Sequence, residues 1–320
     1  MKICFIIPYF GKLPNNFDIF LNSCKYNKTI NYLLVTDDKT YYEYPDNFRV
    51  EYMSFDHLKN KIQNKYDFKI NLSKPYKLCD FKPAYGDIFN EYLSEYDFWG
   101  YCDIDIIFGN IRKFITNDIL EKYDKILSRG YFTLYRNNEK INKLYKSKIN
   151  NLERFKQVFS CDESFAFDEW GHWGINYIFK QNNIRMYDEI IFHDIYVGKY
   201  GFYPYQLMKK EYVKNNIYLF EKGSLFRLGL MNNELIKNEI LYVHFQKRNM
   251  EINGIYSNDR ILIAPNKYIR ISDDFEINKK IISEYGKDKL IYKDYIVYRI
   301  KNLQKKIQKT LKRGRWHEKA

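Results

Sequence analysis

The 320-residue sequence has no long apolar run and few of the residues that mark repetitive architectures. No stretch is long and apolar enough to span a bilayer, and the apolar run at the start ends at Pro8, too early for a signal peptide. The small numbers of glycines (14) and prolines (7) argue against repeats and low-complexity segments. We therefore expect a globular, cytoplasmic protein.

Cysteine is scarce and scattered. The five cysteines form no C-x-x-C motif and lie mostly in apolar surroundings: Cys4, Cys24, Cys79, Cys102 and Cys161. Their odd number and their spacing argue against a disulfide framework. The pattern predicts reduced, buried thiols.

Two phosphate-binding motifs are also absent. The sequence contains neither G-x-G-x-x-G nor G-x-x-x-x-G-K-[ST], which argues against a dinucleotide site and excludes a P-loop. The first predicted strand carries no acidic residue, and this counts against phosphatases that place their acids after that strand.

Apolar and aromatic residues are plentiful enough for a large core. Hydrophobic residues make up 45% of the chain and aromatic residues 19%. The opening follows a β-α-β-β pattern, with strands at 2–11, 30–38 and 48–53 and a helix at 16–27, and a further single strand is predicted over 126–135. This pattern predicts an α/β fold in which ligands bind beyond the carboxyl ends of the strands.

An apolar, aromatic strand predicted over 98–109 carries two acids, Asp103 and Asp105. Strand side chains alternate between faces, so the two acids share a face and Ile104 belongs to the core. Acids are rarely buried without a charged partner, and a divalent cation suits two neighbouring carboxylates. The pattern favours a metal site at the strand end, and the alternative is a pair of solvated acids.

Two more segments combine charge with aromatic residues. Residues 73–86 contain Lys77, Asp80 and Lys82, which either lie in a solvated loop or hold a charged or hydroxylated ligand. Residues 161–174 offer Asp168 or Glu169 as a carboxylate in a sugar-sized pocket, with Trp170 or Trp173 available to stack on a sugar ring. The alternative for the second segment is a helix N-terminus whose dipole favours acids.

A late predicted strand ends in His244, and two cations, Lys247 and Arg248, follow it. Lysine and arginine are phosphate-binding side chains. Two aspartates, one histidine and two cations would make a complete site for a metal and a diphosphate.

Together these motifs resemble the GT-A glycosyltransferases, which transfer a sugar from a nucleotide diphosphate. More closely, they resemble a bacterial family of capsule and cell-surface polysaccharide transferases. The segments that carry the resemblance lie within roughly the first 250 residues, at 4–11, 75–83, 103–105, 167–171 and 242–248.

The resemblance implies roles for the matching residues. Asp103 would lie near the ribose and the metal, and Asp105 and His244 would ligate Mn²⁺ or Mg²⁺. Pro8, Tyr9 and Asp37 would lie beside the base of the donor, most often uracil. Asp80 and Lys82 would lie near the donor sugar, with Lys77 beside them. Lys247 and Arg248 would bind the diphosphate. Asp168 or Glu169 would be the general base of an inverting reaction, with Glu163 as a rival, whereas a retaining reaction needs no such base.

The resemblance also implies a fold and an activity. The fold would be GT-A, a mixed and mostly parallel sheet flanked by helices. A catalytic domain would cover 1–272, with a nucleotide-binding half at 1–110 and an acceptor-side half at 111–272, and a helical tail would follow at 273–320. The enzyme would move a hexose, most often from UDP, to a glycan or lipid-linked acceptor in bacterial surface polysaccharide synthesis.

The formal net charge of +13 permits nucleic acid, an anionic membrane surface or a polyanionic small molecule as a partner. Much of this charge lies in the tail, where 295–316 has apolar residues at helical spacing and basic residues around them. Such a helix fits the anionic inner face of a membrane. The alternative is a helix docked on its own domain.

Two other classes of protein stay open. A nucleic-acid-binding protein would use the basic tail, although the first 250 residues mix both signs of charge. A metal-dependent phosphotransferase or hydrolase would use Asp103 and Asp105.

Overall fold

The structure is a computed structural model that describes residues 1–207, 213–246, 248–255, 257–289, 295–297, 299–300 and 303–304. The described residues divide into two compact units. Unit 1 comprises Met1–Phe192, Lys222–Leu225 and Ile240–His244, and unit 2 takes its residues from His193–Glu221, Phe226–Glu239 and Phe245–Ala320.

The elements of unit 1 alternate between strands and short helices. Its strands are β1 (Ile3–Tyr9), β2 (Ile30–Thr36), β3 (Phe48–Tyr52), β4 (Phe98–Cys102), β5 (Ile106–Phe108), β6 (Lys125–Arg129), β7 (Phe132–Arg136), β8 (Met186–Tyr187) and, late in the chain, β13 (Tyr242–His244). Its α-helices are α1 (Phe17–Lys25), α2 (Phe55–Gln63), α3 (Tyr85–Ile88), α4 (Ile111–Phe114), α5 (Asn117–Lys122), α6 (Glu139–Asn142), α7 (Arg154–Ser160) and α8 (Ile175–Gln181). Its 3₁₀ helices are Pro75–Ala84, Asn90–Tyr92, Leu144–Lys146 and Gly171–Trp173.

A mixed sheet forms the centre of unit 1, with the strand order β3-β2-β1-β4-β7-β6-β8. The pairs β1–β2, β1–β4, β2–β3 and β6–β8 are parallel, and the pairs β4–β7 and β6–β7 are antiparallel. The predicted mixed α/β architecture is confirmed at this level.

Each face of this sheet is covered by a hydrophobic core. Ile6 and Trp99 belong to the core that packs against α2, α3 and α7, whereas Phe5 and Phe98 belong to the core that packs against α1 and α5. Neighbouring residues of one strand therefore point to opposite faces, and both faces are apolar. This explains the continuous apolar runs of β1 and β4.

The single strand predicted over 126–135 is wrong, because β6 and β7 form a hairpin that turns at Gly130 and Tyr131. The backbone of β6 is irregular between Ile126 and Arg129, and Leu127 has a φ of 60°. The buried Lys125 ammonium holds this irregularity by donating to the Leu127 carbonyl at 3.0 Å.

Unit 2 is mainly an antiparallel sheet. Its strands are β9 (His193–Asp194), β10 (Lys214–Glu221), β11 (Ser224–Met231, whose first two residues count with unit 1), β12 (Glu234–Glu239), β14 (Glu251–Asn253), β15 (Arg260–Ala264) and β16 (Lys267–Arg270). All of these strands except β9 form one sheet, in the order β12-β11-β10-β15-β16-β14. Helix α9 (Lys279–Tyr285) buries Ile282 against Ile217 and Leu262 of this sheet.

The tail prediction falls mostly outside the described residues. Within 295–316, only 295–297, 299–300 and 303–304 are described, and these are helical. Among the described residues, no helix has the length and apolar character needed to cross a bilayer. The division into a catalytic domain over 1–272 and a tail stays a prediction.

Candidate metal centre

The two aspartates lie in a turn and not in a strand, which corrects the strand-face prediction. Strand β4 ends at Cys102, and β5 starts at Ile106. The Asp103 backbone N–H donates to the Tyr131 carbonyl at 3.0 Å, and the intervening Ile104 is 8% exposed and packs in the core. The buried Ile104 thus anchors the turn that presents both carboxylates.

His244 comes to this turn through strand pairing. Strand β13 is antiparallel to β5, with His244 opposite Ile106, the neighbour of Asp105. The imidazole is 7% exposed and stacks on the Tyr131 ring at 4.0 Å between centroids. Its Nε2 atom lies 3.3 Å from Asp105 Oδ1.

Asp103, Asp105 and His244 each offer one ligand atom, and these three atoms lie within 4.8 Å of one another. Two ligands of a cation with bonds of about 2.0–2.6 Å lie no more than about 5 Å apart, so the three atoms fit the coordination sphere of one ion. Carboxylates suit Mg²⁺ and Mn²⁺, and an imidazole is a ligand typical of transition-metal ions. The three predicted metal ligands are thus brought together.

Lys82 connects this centre to two other segments. Its ammonium donates to Asp103 Oδ1 at 2.7 Å and to the Gly130 carbonyl at 2.6 Å, and it lies 3.9 Å from Asp168 Oδ2. Burial alone would lower the pKa of Lys82, but the charges around it, chiefly that of Asp103, raise this pKa well above its usual value. Lys82 is therefore a fixed cation beside the candidate metal ligands.

Asp168 is a buried acid next to Lys82. The residue is 6% exposed, and its backbone carbonyl accepts a hydrogen bond from the Tyr101 hydroxyl at 3.4 Å. Burial raises the pKa of Asp168 to about 7; Lys82 opposes this shift, whereas the nearby carboxylates of Glu169 and Asp103 add to it. Glu169 by contrast is exposed.

Gly130 allows the hairpin turn to lie against both of these acids. Its N–H donates to Glu169 Oε1 at 3.3 Å, and a Cβ atom at this position would lie 2.7 Å from Asp168 Oδ2. Gly130 and Tyr131 are not among the predicted site residues, because the sequence pattern predicts one strand over 126–135. A glycine inside a strand pattern is a known sign of a turn or a close approach, and it was the available signal.

Lys77 and Asp80 form a buried ion pair with a distance of 2.8 Å, and neither side chain has exposed surface. Asp80 also accepts from the Phe165 and Phe167 backbone N–H groups at 3.1 Å, and the Lys77 ammonium donates to the Glu163 carbonyl. These contacts fix the segment that leads to Asp168. They favour a positioning role over the predicted contact with donor sugar.

The residues predicted to border a base lie at two adjacent strand ends. Pro8 and Tyr9, at the end of β1, stand opposite Val35 and Thr36 of β2. Asp37 follows β2; it is exposed and accepts from the Gly11 N–H at 2.7 Å. Their role toward a base stays a prediction.

Of the two cations predicted to hold a diphosphate, Lys247 lies outside the described residues and Arg248 belongs to unit 2. The Arg248 guanidinium is 8% exposed and donates to the carbonyls of Tyr196, Lys199 and Tyr200 at 2.6–2.8 Å. Arg248 therefore organises the loop at 196–201. The diphosphate contact stays a prediction, and these hydrogen bonds direct the guanidinium of Arg248 to backbone carbonyls.

The comparisons with known proteins place the chain in a family. Residues 5–272 match a model described as a family of unknown function, DUF6625. The chain belongs to this family. No curated protein matches the chain.

Among solved structures, the chain is similar to the crystal structure of galactosyltransferase LgtC in complex with donor and acceptor sugar analogues. The identity is 10%, the match covers 61% of this chain and 75% of that chain, and the TM-score is 0.32. A similarity this low does not bear on what this member of the family does.

We expect Asp80→Asn to destabilise unit 1, because the substitution leaves the Lys77 ammonium buried without its counter-charge. Breaking a buried ion pair in this way costs about 3–5 kcal/mol of the free energy of unfolding, to be measured by urea denaturation. Glu95→Gln is the control, since the Lys2–Glu95 pair is 62% exposed on both sides. That change should cost less than about 1 kcal/mol, and equal effects would contradict the assignment.

Asp168→Asn should change how stability depends on pH in metal-free protein. The folded pKa of about 7 lies above the unfolded value, so folding favours the protonated acid. This stabilisation is fully present below about pH 4 and is lost as the pH rises through about 7, by up to about 1.4 kcal/mol per pH unit. The variant should lack this slope between about pH 4 and 7, whereas Glu169→Gln, at an exposed position, should keep it. An unchanged slope in Asp168→Asn would refute the buried protonated acid.

Proposed function

We propose that the chain is a metal-dependent glycosyltransferase that moves a sugar from a nucleotide-diphosphate donor, most simply a UDP-hexose, to a glycan or lipid-linked acceptor. Synthesis of a bacterial surface polysaccharide is the setting that the sequence motifs suggest. The proposal takes GT-A as the fold and residues 1–272 as the catalytic domain.

One observation carries the proposal: the Asp103–Asp105–His244 triad lies beside a buried cation, Lys82, which in turn reaches a buried acid, Asp168. A phosphotransferase or hydrolase would use the metal ligands alone. Sugar transfer would use both parts of this arrangement: the metal ligands with Lys82 on the donor side, and the buried Asp168 on the acceptor side. The donor half must stabilise negative charge, and the acceptor half must remove a proton.

Asp103, Asp105 and His244 would hold the ion. When bound, a divalent cation supplies electrostatic stabilisation for the charge that builds up on a departing diphosphate. Lys82 keeps Asp103 in place and adds a positive charge that is already oriented before the reaction, so no reorganisation is needed. Lys247 remains the proposed diphosphate contact.

Asp168 would accept the proton of an acceptor hydroxyl if the reaction inverts. A general base works best when its pKa lies near the operating pH, and burial holds the pKa of Asp168 at about 7. Lys82 and Gly130 fix its position, whereas Glu169 is exposed and Glu163 belongs to the segment held by Lys77.

The remaining predicted residues take supporting roles in this proposal. Lys77 and Asp80 position the acidic segment from within the core. Pro8, Tyr9 and Asp37 stay assigned to the base of the donor.

Asp105→Asn should abolish metal-dependent nucleotide release, with a loss of at least about a hundredfold, because the site loses a charged ligand. Nucleotide release would be measured with a panel of nucleotide-sugars with and without Mn²⁺. The rise in melting temperature caused by Mn²⁺ should also disappear, since only a ligand that binds the folded state stabilises it.

The control for this experiment is Asp118→Asn, an exposed acid on α5. It should leave both readouts unchanged. Full activity in Asp105→Asn would refute the metal assignment. Release of phosphate from a simple ester, without any nucleotide-sugar, would instead favour the phosphotransferase or hydrolase alternative.

Asp168→Asn should slow sugar transfer by about 10²–10⁴-fold, the usual contribution of a general base. Affinity for the donor and metal, measured by calorimetry, should change little. In the wild-type enzyme, the rate of the chemical step should rise with pH as Asp168 loses its proton. It should level off below about pH 7, the pKa of Asp168 without metal, because a bound cation lowers this pKa.

Glu169→Gln and Glu163→Gln are the matched controls and should each reduce transfer only a few-fold. A large loss in one of them, with Asp168→Asn active, would move the base to that residue. Small effects from all three would show that no base is used, as expected for a retaining reaction.

A further inference from the structure

We propose that the exposed face of Trp170 and the polar cluster beside it, formed by Ser128, Arg129 and Asp188, bind the acceptor as an uncharged pyranose ring. This inference rests on the proposed function, and it names the acceptor side of that same site. All of these residues belong to unit 1.

Trp170 is 42% exposed although it is a large aromatic residue. Its only polar atom, the indole Nε1, donates to Ser128 Oγ at 3.3 Å. The exposed part of the ring is therefore carbon, and its orientation is held by a hydrogen bond. The electron-rich face of an aromatic ring attracts the weakly positive C–H groups on the apolar face of a sugar.

Ser128 ties the indole to two charged side chains. Its hydroxyl donates to Asp188 Oδ2 at 2.6 Å and accepts from the Arg129 guanidinium at 3.4 Å. Arg129 and Asp188 are 3.7 Å apart, and their side chains are 28% and 31% exposed. A looser, partly exposed pair of this kind keeps donors and acceptors within reach of ligand hydroxyl groups.

This cluster lies close to the candidate base. Ser128 precedes Gly130 by two residues, a distance of about 6–7 Å along an extended chain. Gly130 touches both Asp168 and Glu169, and Glu169 is the neighbour of Trp170 in sequence. A sugar ring stacked on Trp170 would therefore have its hydroxyl groups near the carboxyl group of Asp168, the candidate base.

The backbone of the Trp170 loop adds an independent observation. Ala166 has a φ of 49° and Trp173 a φ of 60°, a left-handed conformation that a residue with a side chain adopts at a cost. Strain of this kind is concentrated where a ligand requires a defined shape. Gly174 completes the loop, since a Cβ there would lie 2.1 Å from the Glu169 carbonyl oxygen.

The charges select the class of acceptor. The carboxylates of Asp188 and Glu169 outnumber the one guanidinium of the cluster, that of Arg129, so the cluster offers an anionic group such as phosphate no net attraction. A lipid chain would cover the partly exposed charges of Arg129 and Asp188 and offer them no hydrogen bond. An uncharged pyranose satisfies both requirements, because it has one apolar face and a rim of hydroxyl groups.

The experiment uses the full chain labelled with 5-fluorotryptophan. The chain has four tryptophans, and their fluorine resonances are assigned by individual Trp→Phe substitutions. Methyl glycosides of glucose, galactose, mannose and N-acetylglucosamine are titrated without donor or metal. We expect the Trp170 fluorine resonance to shift with at least one of them. The Trp99 resonance should stay fixed, because that side chain is fully buried.

Affinity is then compared between variants by saturation transfer observed on the glycoside. Trp170→Ala should weaken binding at least about tenfold, the scale of a lost stacking contact, and Trp170→Phe should retain most of it. Trp173→Phe is the matched control from the same loop and should bind like the wild type. An unshifted Trp99 resonance in each variant verifies that unit 1 is folded.

Several outcomes would overturn the proposal. The first is that no glycoside shifts the Trp170 resonance. The second is that the Trp170 and Trp173 variants lose equal affinity for the glycosides. The third is that phenyl phosphate shifts the Trp170 resonance and the glycosides do not. Binding of UDP and Mn²⁺, measured by calorimetry, is the separate readout for the proposed function. Trp170→Ala should leave that binding within about twofold, so failure of the acceptor site and failure of the enzyme assignment give different results.

Discussion

The ammonium of Lys82 is bound at the point where three separate segments of unit 1 meet. It contacts the turn that contains Asp103, the hairpin turn at Gly130 and the loop that contains Asp168. A buried ammonium is stable only where anions and carbonyl dipoles surround it, so this one charge requires all three segments to be in place. The candidate metal ligands and the candidate base are thereby fixed relative to each other through one side chain.

Much of this arrangement follows from local patterns in the sequence. Asp103 and Asp105 were recognisable because two acids interrupt an apolar run, and His244 because it ends a late apolar strand. The apolar runs of β1, β2 and β4 are typical of strands that are buried on both faces, and the two cores of unit 1 cover both faces of the sheet.

The contacts between distant segments did not follow from the sequence. The antiparallel pairing of β13 with β5 joins residues more than 130 positions apart, and no local pattern specifies such a register. The sequence likewise marked Lys77, Asp80 and Lys82 as one charged group, although Lys82 contacts the site and the other two form a pair in the core. Which charge is buried with which partner depends on packing, and propensity does not encode it.

Charge balance links the metal centre to the buried acid. The metal centre and its neighbours include four carboxyl groups, those of Asp103, Asp105, Asp168 and Glu169, and one ammonium, that of Lys82. With all of them ionised, these five side chains carry a formal charge of −3. Protonation of Asp168, whose pKa burial raises to about 7, reduces this to −2, which a divalent cation neutralises. Such a cation would in turn favour the ionised form of Asp168, because a nearby positive charge lowers the pKa of an acid. In the proposed enzyme, Asp168 would therefore ionise more readily when Asp103, Asp105 and His244 hold a cation, and its proton would pass to solvent.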